Sequence, residues 1–567
     1  MMSKWYRQPP RALLLTLTLL SVALKLWLVA AQPVVARGDA GYDDRLFLEL
    51  TNHLLDGDWL GPYSQFTLMK GPMYSLWIAG VFWLGIPVPL GQHLMYLLGC
   101  AMLVRSLQPY LRPGWQTLGL FTLLWWQPMS YVQLDLLRQN IYTPLTLLLF
   151  AGLFALETRR SAPAAIRFGW GALLGLCAAG FWLTREESVW ILPGALLLFS
   201  AALWSAWRSG KDLHPLVLPI ITATACAGIL MTSVCALNYR YYNWFGTVEF
   251  RAPEFLSAYG ALQRPIPAKE VPYVPVTREA RLKLYEVSPA FAELRPWIEG
   301  AIGREWAVSS EFVTGHPADD REIGGGWFLW ALRDAVIAAR HPRTAREALD
   351  FYDRIATEVN RACDDGRLGA TLPRRDTMMP PWRAEHAQRF RKEALSYLGY
   401  FFLFREFTAN PEASSGSAQM LQIFRELTRW PLALPHDAPE LGLPLQWRVD
   451  HWRVAVLQHI GDALCWLCAA VAITGVGAWL WAMVRMTQRR GNFYIFVVSI
   501  AALGSAVAVY LVNLLVHVLA FPNQSPSALA QGYPLLLLFG ATAWMAALET
   551  RTAAADATTC TSTRRSS

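Results

Sequence analysis

Ten apolar runs, each about long enough to cross a bilayer, set the limits on what this chain can fold into. The first run, residues 12–31, follows Lys4, Arg7 and Arg11. A helix needs about twenty apolar residues to span the hydrocarbon layer of a membrane. The remaining runs cover 89–108, 114–130, 140–157, 166–184, 188–206, 215–237, 455–484, 494–520 and 527–549. This pattern predicts an all-α polytopic membrane protein with about ten spans.

The composition excludes two other classes of protein. Hydrophobic residues make up 54% of the 567 residues, and 26 residues are tryptophan, which is too apolar for a disordered chain. The net charge of +8 comes from basic residues scattered in small groups at the ends of apolar runs, a pattern typical of membrane topology rather than of nucleic-acid binding. Six of the eight cysteines lie inside apolar runs, so no disulfide framework is predicted.

The distribution of basic residues predicts which loops are cytoplasmic. Segment 71–87 is apolar but short, and Gly and Pro interrupt it. If it crossed the membrane, the basic loops after the second, fourth and sixth runs would lie outside, against the positive-inside rule. We therefore expect 71–87 to form an amphipathic or re-entrant helix in the outer interface. We expect Lys25 to snorkel to the same interface, and a signal peptide cleaved near Ala31 is the alternative for the first run.

These boundaries divide the chain into four regions. Residues 1–237 form a membrane module with a first outer loop at 32–88, residues 238–452 an extracytoplasmic domain, residues 453–550 the last transmembrane helices, and residues 551–567 a disordered cytoplasmic tail. Apolar residues recur at helical spacing in 278–297, 327–339 and 345–362, so the extracytoplasmic domain is expected to be mostly helical. The proline-rich stretch 264–275 predicts an extended strap.

An acidic pair, Asp43 and Asp44, stands just beyond the first span. Apolar residues follow the pair at helical spacing, which places it at the start of an interfacial helix. One interpretation is a helix cap whose charge suits the helix dipole. Because a cap needs only one side chain, the other interpretation is that Asp43 acts as a general base on a hydroxyl at the membrane surface.

Several cations share the predicted outer face with this pair. Lys70 precedes Gly71 and Pro72 at a probable helix start, a place that attracts phosphate, although a lysine there also serves as a contact for lipid headgroups. Arg138 and Arg185 stand at the outer ends of spans, where the alternative role is an interfacial anchor. Arginine suits a phosphate leaving group because its fork donates two hydrogen bonds. The two acids that follow Arg185 are candidates to orient it or to bind sugar hydroxyls: Glu186 and Glu187.

An aromatic helix start at Trp327 completes the candidates. Gly324, Gly325 and Gly326 precede it but lack the Lys-Ser/Thr of a phosphate-binding loop, so they predict a flexible turn. Trp327 is a candidate to stack on a sugar. The sequence has no HExxH, no Cys/His metal array, no GxSxG and no dinucleotide fingerprint.

Taken in order, the motifs of the first 240 residues resemble the GT-C superfamily of membrane glycosyltransferases, especially the protein O-mannosyltransferase and lipid A aminoarabinose transferase branch. The resemblance rests on Tyr42-Asp43-Asp44, Gly57-Asp58-Trp59-Leu60, Lys70-Gly71-Pro72-Met73-Tyr74, Leu137-Arg138-Gln139-Asn140-Ile141-Tyr142, and Phe181-Trp182-Leu183-Thr184-Arg185-Glu186-Glu187. It implies a GT-C-like bundle of transmembrane helices. It also implies transfer of a sugar from a polyprenyl-phosphate donor to a glycan, lipid or protein acceptor at the outer face, usually with inversion, in a membrane such as the bacterial inner membrane.

The resemblance also implies roles for individual residues. Asp43 corresponds to the base, Asp44 positions substrate, and Lys70, Arg138 and Arg185 lie on the phosphate side. The second acid is Asp where relatives more often have Glu, and the second outer loop has Gln139 and Asn140 where they often have an acid. These departures leave a divalent cation open as a cofactor, and the segment 238–452 matches no family, so it does not name the acceptor.

Two alternatives from other classes remain. A transporter is one alternative, because transporters also carry charges within their membrane region. Charges at span midpoints and an inverted repeat would favour that interpretation, and this sequence shows neither. A non-catalytic component of envelope glycan export or assembly would use the extracytoplasmic domain as its binding module.

Overall fold

The computed structural model describes residues 9–111, 114–132, 134–185, 188–208, 213–268, 271–374, 379–409, 411–433, 444–488 and 492–548. Within them the chain forms 22 α-helices, and its extended pairings are isolated bridges rather than strands. The prediction of an all-α polytopic membrane protein is confirmed. The predicted tail, 551–567, lies outside the described residues.

Ten helices form the N-terminal membrane module and its loops. In chain order they are α1 (Arg11–Val29), α2 (Asp44–Leu55), α3 (Met73–Trp83), α4 (Val88–Leu107), α5 (Trp115–Trp125), α6 (Met129–Val132), α7 (Gln139–Thr158), α8 (Ala164–Thr184), α9 (Leu192–Arg208) and α10 (His214–Tyr242). Helices α4 and α8 both pack against α7, and α10 packs against α8. The module is therefore a layered bundle, with α2 and α3 in its first outer loop.

Nine further helices, α11 to α19, lie in segment 238–452, for which an extracytoplasmic location is predicted and which is called the extracytoplasmic domain below. They are α11 (Pro253–Leu262), α12 (Arg278–Val287), α13 (Pro289–Ala292), α14 (Arg295–Ile298), α15 (Ala301–Thr314), α16 (Gly325–Arg340), α17 (Ala345–Asp364), α18 (Ala384–Phe402) and α19 (Ala418–Thr428). All three predicted helical stretches are present, although the first is divided after Val287, where the Ser288 hydroxyl caps the short helix that begins at Pro289. The proline-rich strap lies between α11 and α12, as its composition predicts.

The chain ends in α20 (Pro444–Thr487), α21 (Phe493–Leu519) and α22 (Gly532–Leu548), which pack on one another. Helix α20 has 44 residues, so at 1.5 Å per residue it is about 66 Å long and extends well beyond a bilayer. The predicted domain boundaries at 237/238 and 452/453 fall inside α10 and α20. The division of the chain into domains remains a prediction.

Six of the described helices are long and apolar enough to cross a membrane on their own: α1, α7, α8, α10, α20 and α21. A seventh span is obtained if α3 and α4, which meet at an angle of 108°, are counted together. The other predicted spans contain α5, α9 and α22, which are helical but shorter. The chain is thus a multi-pass membrane protein, and the count of ten remains a prediction for the shorter helices. The sharp bend between α3 and α4 is compatible with a broken span and with a re-entrant helix, so the re-entrant helix at 71–87 stays a prediction.

The prediction that Lys25 snorkels to the interface is wrong. Its side chain is fully buried, and its ammonium donates hydrogen bonds to the Trp125 carbonyl and the Ser130 hydroxyl. The same ammonium lies 4.0 Å from the centre of the Trp125 ring. Polar groups of α5 and α6 therefore satisfy the cation inside the bundle, so it has no need to reach the membrane surface.

The start of the first outer loop is held by the end of the extracytoplasmic domain. The Gln32 side chain donates to the Ala409 carbonyl at 2.9 Å, and the Trp430 indole donates to the Gln32 carbonyl at 2.8 Å. Isolated bridges join Val34 to Leu432 and Arg37 to Ser415. This part of the loop therefore takes its path from residues that are distant in sequence.

Candidate active site

Asp43 and Lys70 form an ion pair at the start of α2. Asp43 precedes the first residue of the helix, but it makes no capping hydrogen bond with the described residues of that helix. Its carboxylate instead accepts a hydrogen bond from the Lys70 ammonium, which also donates to the Tyr42 carbonyl. The Lys70 side chain is 9% exposed, whereas that of Asp43 is 58% exposed. The helix-cap interpretation of Asp43 is therefore wrong, and an accessible carboxylate is held by a buried cation.

Two arginines add positive charge around Asp43. Arg138 stands directly before α7, and its guanidinium donates to the Thr184 carbonyl at 3.1 Å, which ties it to the end of α8. Arg185 follows the last residue of that helix. Partial loss of water around the carboxylate disfavours the charged form of Asp43, but Lys70, Arg138 and Arg185 together outweigh this effect, so the pKa of Asp43 lies below its usual value. Asp43 is ionised at neutral pH.

A glycine brings these cations together. A Cβ atom at position 71 would overlap the carbonyl group of Leu183, which lies one residue before Thr184. Because Gly71 has no side chain, the segment that carries Lys70 can lie directly against the end of α8. The Lys70-Gly71-Pro72 motif therefore has a structural purpose as well as a chemical one. It sets Lys70 beside the segment that carries Arg185.

Asp44 differs from its neighbour in burial and in charge. Its side chain is completely buried at the first position of α2, and one carboxyl oxygen accepts the Leu136 backbone N–H at 3.4 Å. The other oxygen has no hydrogen-bond partner among the described residues. Burial raises the pKa of Asp44 well above its usual value, and the nearby acids Asp135 and Asp43 raise it further. Burial therefore favours the neutral form of Asp44, whereas the surrounding cations favour the charged form of Asp43.

The extracytoplasmic domain supplies an aromatic wall to this site. The Tyr42 ring lies 4.2 Å from Trp330 and 4.9 Å from Trp306, measured between ring centres. The Tyr42 hydroxyl donates to the Asp334 carboxylate, which also accepts the Trp306 indole N–H at 2.8 Å. The Lys70 ammonium lies 5.6 Å from the centre of the Trp330 ring. Asp43, Lys70, Tyr42, Arg138, Arg185 and Trp330 are called the Asp43 site below.

A second buried ion pair fixes the loop that leads to Lys70. Arg333 on α16 and Glu249 are both fully buried and paired, and Tyr63 donates a hydrogen bond to Glu249 at 2.7 Å. The Arg333 guanidinium also donates to the Ser64 carbonyl at 3.0 Å and the Thr67 carbonyl at 3.3 Å. This group, called the Arg333 clamp, joins the first outer loop to the extracytoplasmic domain. Arg333 of the clamp lies on α16, as do Trp330 and Asp334 of the aromatic wall, whereas Trp306 lies on α15.

The remaining predicted residues are placed as follows. Trp327 lies on α16 one helical turn before Trp330, and its ring packs against Phe521, with 5.6 Å between ring centres. A sugar contact for Trp327 stays a prediction. Glu186 and Glu187 lie outside the described residues.

The site does not have the form of a metal centre. No group of three or more His, Cys, Asp or Glu side chains in the described part of the chain is placed to hold a metal ion. The accessible carboxylate of Asp43 is paired with Lys70 and lies near two further cations. Since those cations would repel a divalent ion, the described residues do not fit the metal that the resemblance left open.

Sequence analysis missed most of the contribution of the extracytoplasmic domain, namely Trp306, Arg333, Asp334 and Glu249. One signal was available. Arg333 and Asp334 interrupt a helix whose neighbouring residues, Leu332 and Ala335, are apolar. Charged residues at such positions are costly to bury unless they are paired, so they indicate a specific contact.

Comparisons with known proteins give limited guidance. No family model matches the chain, and no curated protein matches it. Two solved structures are similar to it, both of ArnT from Cupriavidus metallidurans. The apo structure is 14% identical, covers 93% of this chain and 76% of its own, and has a TM-score of 0.32. The structure bound to undecaprenyl phosphate is 13% identical, covers 94% and 77%, and has a TM-score of 0.31. At these identities and TM-scores neither structure carries an argument about this chain, so the case for function rests on the site itself.

Proposed function

We propose that this chain is a GT-C-type glycosyltransferase that moves a sugar from a polyprenyl-phosphate donor to an acceptor hydroxyl at the outer face of the membrane, with inversion. One observation supports the proposal above the others: an accessible, ionised carboxylate lies among three cations. The carboxylate suits proton removal, and the cations suit a phosphate leaving group.

The cations of the Asp43 site favour a phosphate-bearing substrate. The pKa of Asp44 is raised, which favours its neutral form, and the ionised Asp43 carboxylate lies near the positive charges of Lys70, Arg138 and Arg185. Cations gathered at the end of an apolar bundle attract an anionic headgroup whose lipid chain lies in the membrane. The Arg guanidinium adds two parallel hydrogen bonds to the phosphate oxygens.

The reaction is a direct displacement at the anomeric carbon. Asp43 accepts the proton of the acceptor hydroxyl while its oxygen bonds to the anomeric carbon, and the bond from that carbon to the phosphate oxygen breaks. Lys70, Arg138 and Arg185 stabilise the negative charge that develops on the departing lipid phosphate. No general acid is needed because phosphate is a good leaving group. In the free protein Lys70 neutralises Asp43, and a donor phosphate that attracts Lys70 leaves the carboxylate free to take the proton.

Location and substrates extend the same proposal. The basic loops between the spans favour an extracytoplasmic site, in a membrane such as the bacterial inner membrane. The donor partner is a lipid-linked sugar, and the acceptor is a glycan, a lipid or a protein. No metal takes part in the proposed steps.

The test measures release of polyprenyl phosphate from a panel of polyprenyl-phosphate sugars by purified membranes. We expect Asp43→Asn to lower the rate by about 10²–10⁴-fold, the range for loss of a general base, with unchanged insertion and yield. Asp39→Asn is the matched control, because Asp39 is an exposed acid in the same loop. An Asp43→Asn protein as active as the parent would exclude Asp43 as the base. Release from no donor would favour a transporter or a non-catalytic component instead.

A further inference from the structure

A large recess separates the proline-rich strap from the start of α18. Its volume is about 400 Å³, and Val518 and Leu519 at the end of α21 form one side. Its charged lining comes from α18 and the residue before it: Arg383, Glu385, His386 and Arg389. Prolines and Tyr273 of the strap form the opposite wall. This strap cavity therefore combines apolar walls with an excess of basic groups.

Arg389 is held in this cavity by an aromatic ring. Its guanidinium lies 4.0 Å from the centre of the Tyr273 ring, and it makes no hydrogen bond or ion pair with a residue that the structure describes. Tyr273 has a φ of +65°, a conformation that a tyrosine rarely adopts. The Gly325 N–H donates a hydrogen bond to the Tyr273 carbonyl at 2.6 Å, and this bond helps to fix the backbone conformation of Tyr273. The arrangement orients a guanidinium fork and leaves its donors available to a ligand.

The surroundings place this cavity at the level of lipid headgroups. Helix α18 runs beside the outer half of α21, because the Tyr510 hydroxyl donates to the Ala394 carbonyl at 2.8 Å. The outward face of α18 changes along its length from Arg391 and Lys392 to Leu395, which is 77% exposed. A helix that passes from cations to exposed apolar residues is typical of one that enters a membrane interface.

We propose that the strap cavity binds the phosphate-bearing headgroup of a lipid, with Arg389 as its main phosphate contact. The guanidinium forks of Arg389 and Arg383 suit phosphate oxygens, and the apolar walls at Val518 and Leu519 suit the first carbons of the lipid chains. Two sources share this chemistry: a phospholipid of the surrounding bilayer and a phosphorylated glycolipid.

Helix α16 connects this cavity to the Asp43 site. Gly325, at the start of α16, contacts Tyr273, and Asp334 of the same helix contacts Tyr42. Nine residues separate the two positions, which is about 14 Å along a helix. A lipid in the strap cavity therefore lies close to the proposed reaction, but its binding does not depend on that reaction.

The test is binding of a short-chain phosphatidic acid to the purified full-length protein in detergent, measured by calorimetry. We expect Arg389→Gln to weaken binding by about tenfold or more, the effect of losing a charged hydrogen bond. Arg389→Lys, which keeps the charge without the fork, should lose less. Arg391→Gln on the outward face of the same helix is the matched control and should bind as the parent does. Size-exclusion profiles and melting temperatures establish that each variant is folded.

Further arms identify the source and exclude other sites. Tighter binding of a phosphorylated glucosamine lipid than of phosphatidic acid identifies a glycolipid ligand, and equal binding identifies bilayer phospholipid. Inorganic phosphate that binds as tightly as the lipids would overturn the role of the lipid chain.

The measurement is repeated in a Lys70→Met background, which leaves the strap cavity intact. If Lys70→Met abolishes lipid binding and Arg389→Gln does not, the lipid occupies the Asp43 site and the proposal is wrong. An absence of binding to the parent also overturns it.

Discussion

The Asp43 site and the Arg333 clamp both contain a cation paired with a carboxylate, but they differ in accessibility and in the balance of charge. In the clamp, both partners are fully buried, one Arg faces one Glu, and a tyrosine and two backbone carbonyls satisfy further hydrogen bonds. In the Asp43 site, the carboxylate is 58% exposed and three cations surround it. A closed pair holds two regions together, whereas an open site that contains several cations is available to an anionic substrate.

Removing Arg333 is the strongest way to break this comparison. Arg333→Leu leaves Glu249 buried without its cation, so we expect a loss of about 3–5 kcal/mol in the free energy of unfolding. Thermal unfolding of the detergent-solubilised protein measures the loss. The control is Arg340→Gln on the same helix, whose ion pair with Glu293 is exposed and should contribute little. A clamp variant as stable as the control would show that the buried pair is not structural.

Removing Lys70 should change transfer far more than stability. Lys70→Met keeps the length of the side chain without its charge, and we expect kcat to fall by about 10²–10³-fold, the effect of losing one group that stabilises developing charge. Lys70 also lowers the pKa of Asp43, and the base is active when deprotonated. The acidic limb of the pH–rate profile should therefore move to higher pH in the variant. Arg45→Gln in the same loop is the control, because it removes a cation without shifting the acidic limb. An unchanged acidic limb in Lys70→Met would exclude the proposed effect of Lys70 on the pKa of Asp43.

Gly71→Ala tests how closely the two halves of the Asp43 site must approach. The added Cβ would overlap the Leu183 carbonyl, so the Lys70 segment must move away from α8. We expect a loss of about 1–3 kcal/mol in stability, together with reduced transfer. Gly80→Ala is the control, because a Cβ there meets no atom within 4 Å and a helix interior favours alanine over glycine. Equal behaviour of the two variants would show that the close approach is unimportant.

The smallest expected effect concerns Asp334 and pH. Burial raises the pKa of Asp334 to about 7. The folded protein therefore holds this proton more tightly than the unfolded chain does, and stability falls as the pH rises from about 4 to 7. Because Asp334 is partly exposed, we expect Asp334→Asn to remove about 1 kcal/mol of this loss. Unfolding at pH 5 and pH 8 measures it, with Asp353→Asn at an exposed position as control. Parallel pH dependences in parent and variant would contradict the prediction.

The sequence was sufficient to predict the elements on which the site stands. Hydropathy located the membrane helices, and the residue types at 43–44 and 70–72 predicted the starts of α2 and α3. The cation pairing of Asp43 was not predictable in the same way, because a helix cap has the same local pattern. Its partner was recognised as a candidate phosphate contact, not as a partner of Asp43.

The aromatic wall could not be predicted because it depends on contacts between distant residues. Tyr42 and Asp334 are 292 residues apart, and no local period relates them. For Lys25, the local sequence pattern led to a wrong prediction. Its position in the first span predicted a contact with the membrane surface, but the carbonyl and hydroxyl that satisfy it lie 100 and 105 residues later.

The attachment of Gln32 has a consequence for the order of events during synthesis. Its partner Trp430 is 398 residues further along the chain, so at about 5–20 residues per second the ribosome reaches that partner on the order of 20–80 s later. The first outer loop must wait through that interval, after α1 has emerged, before its path is fixed. The proposed catalytic base is thus among the first residues made and among the last to be positioned. A chain released early would lack the contacts that complete its site.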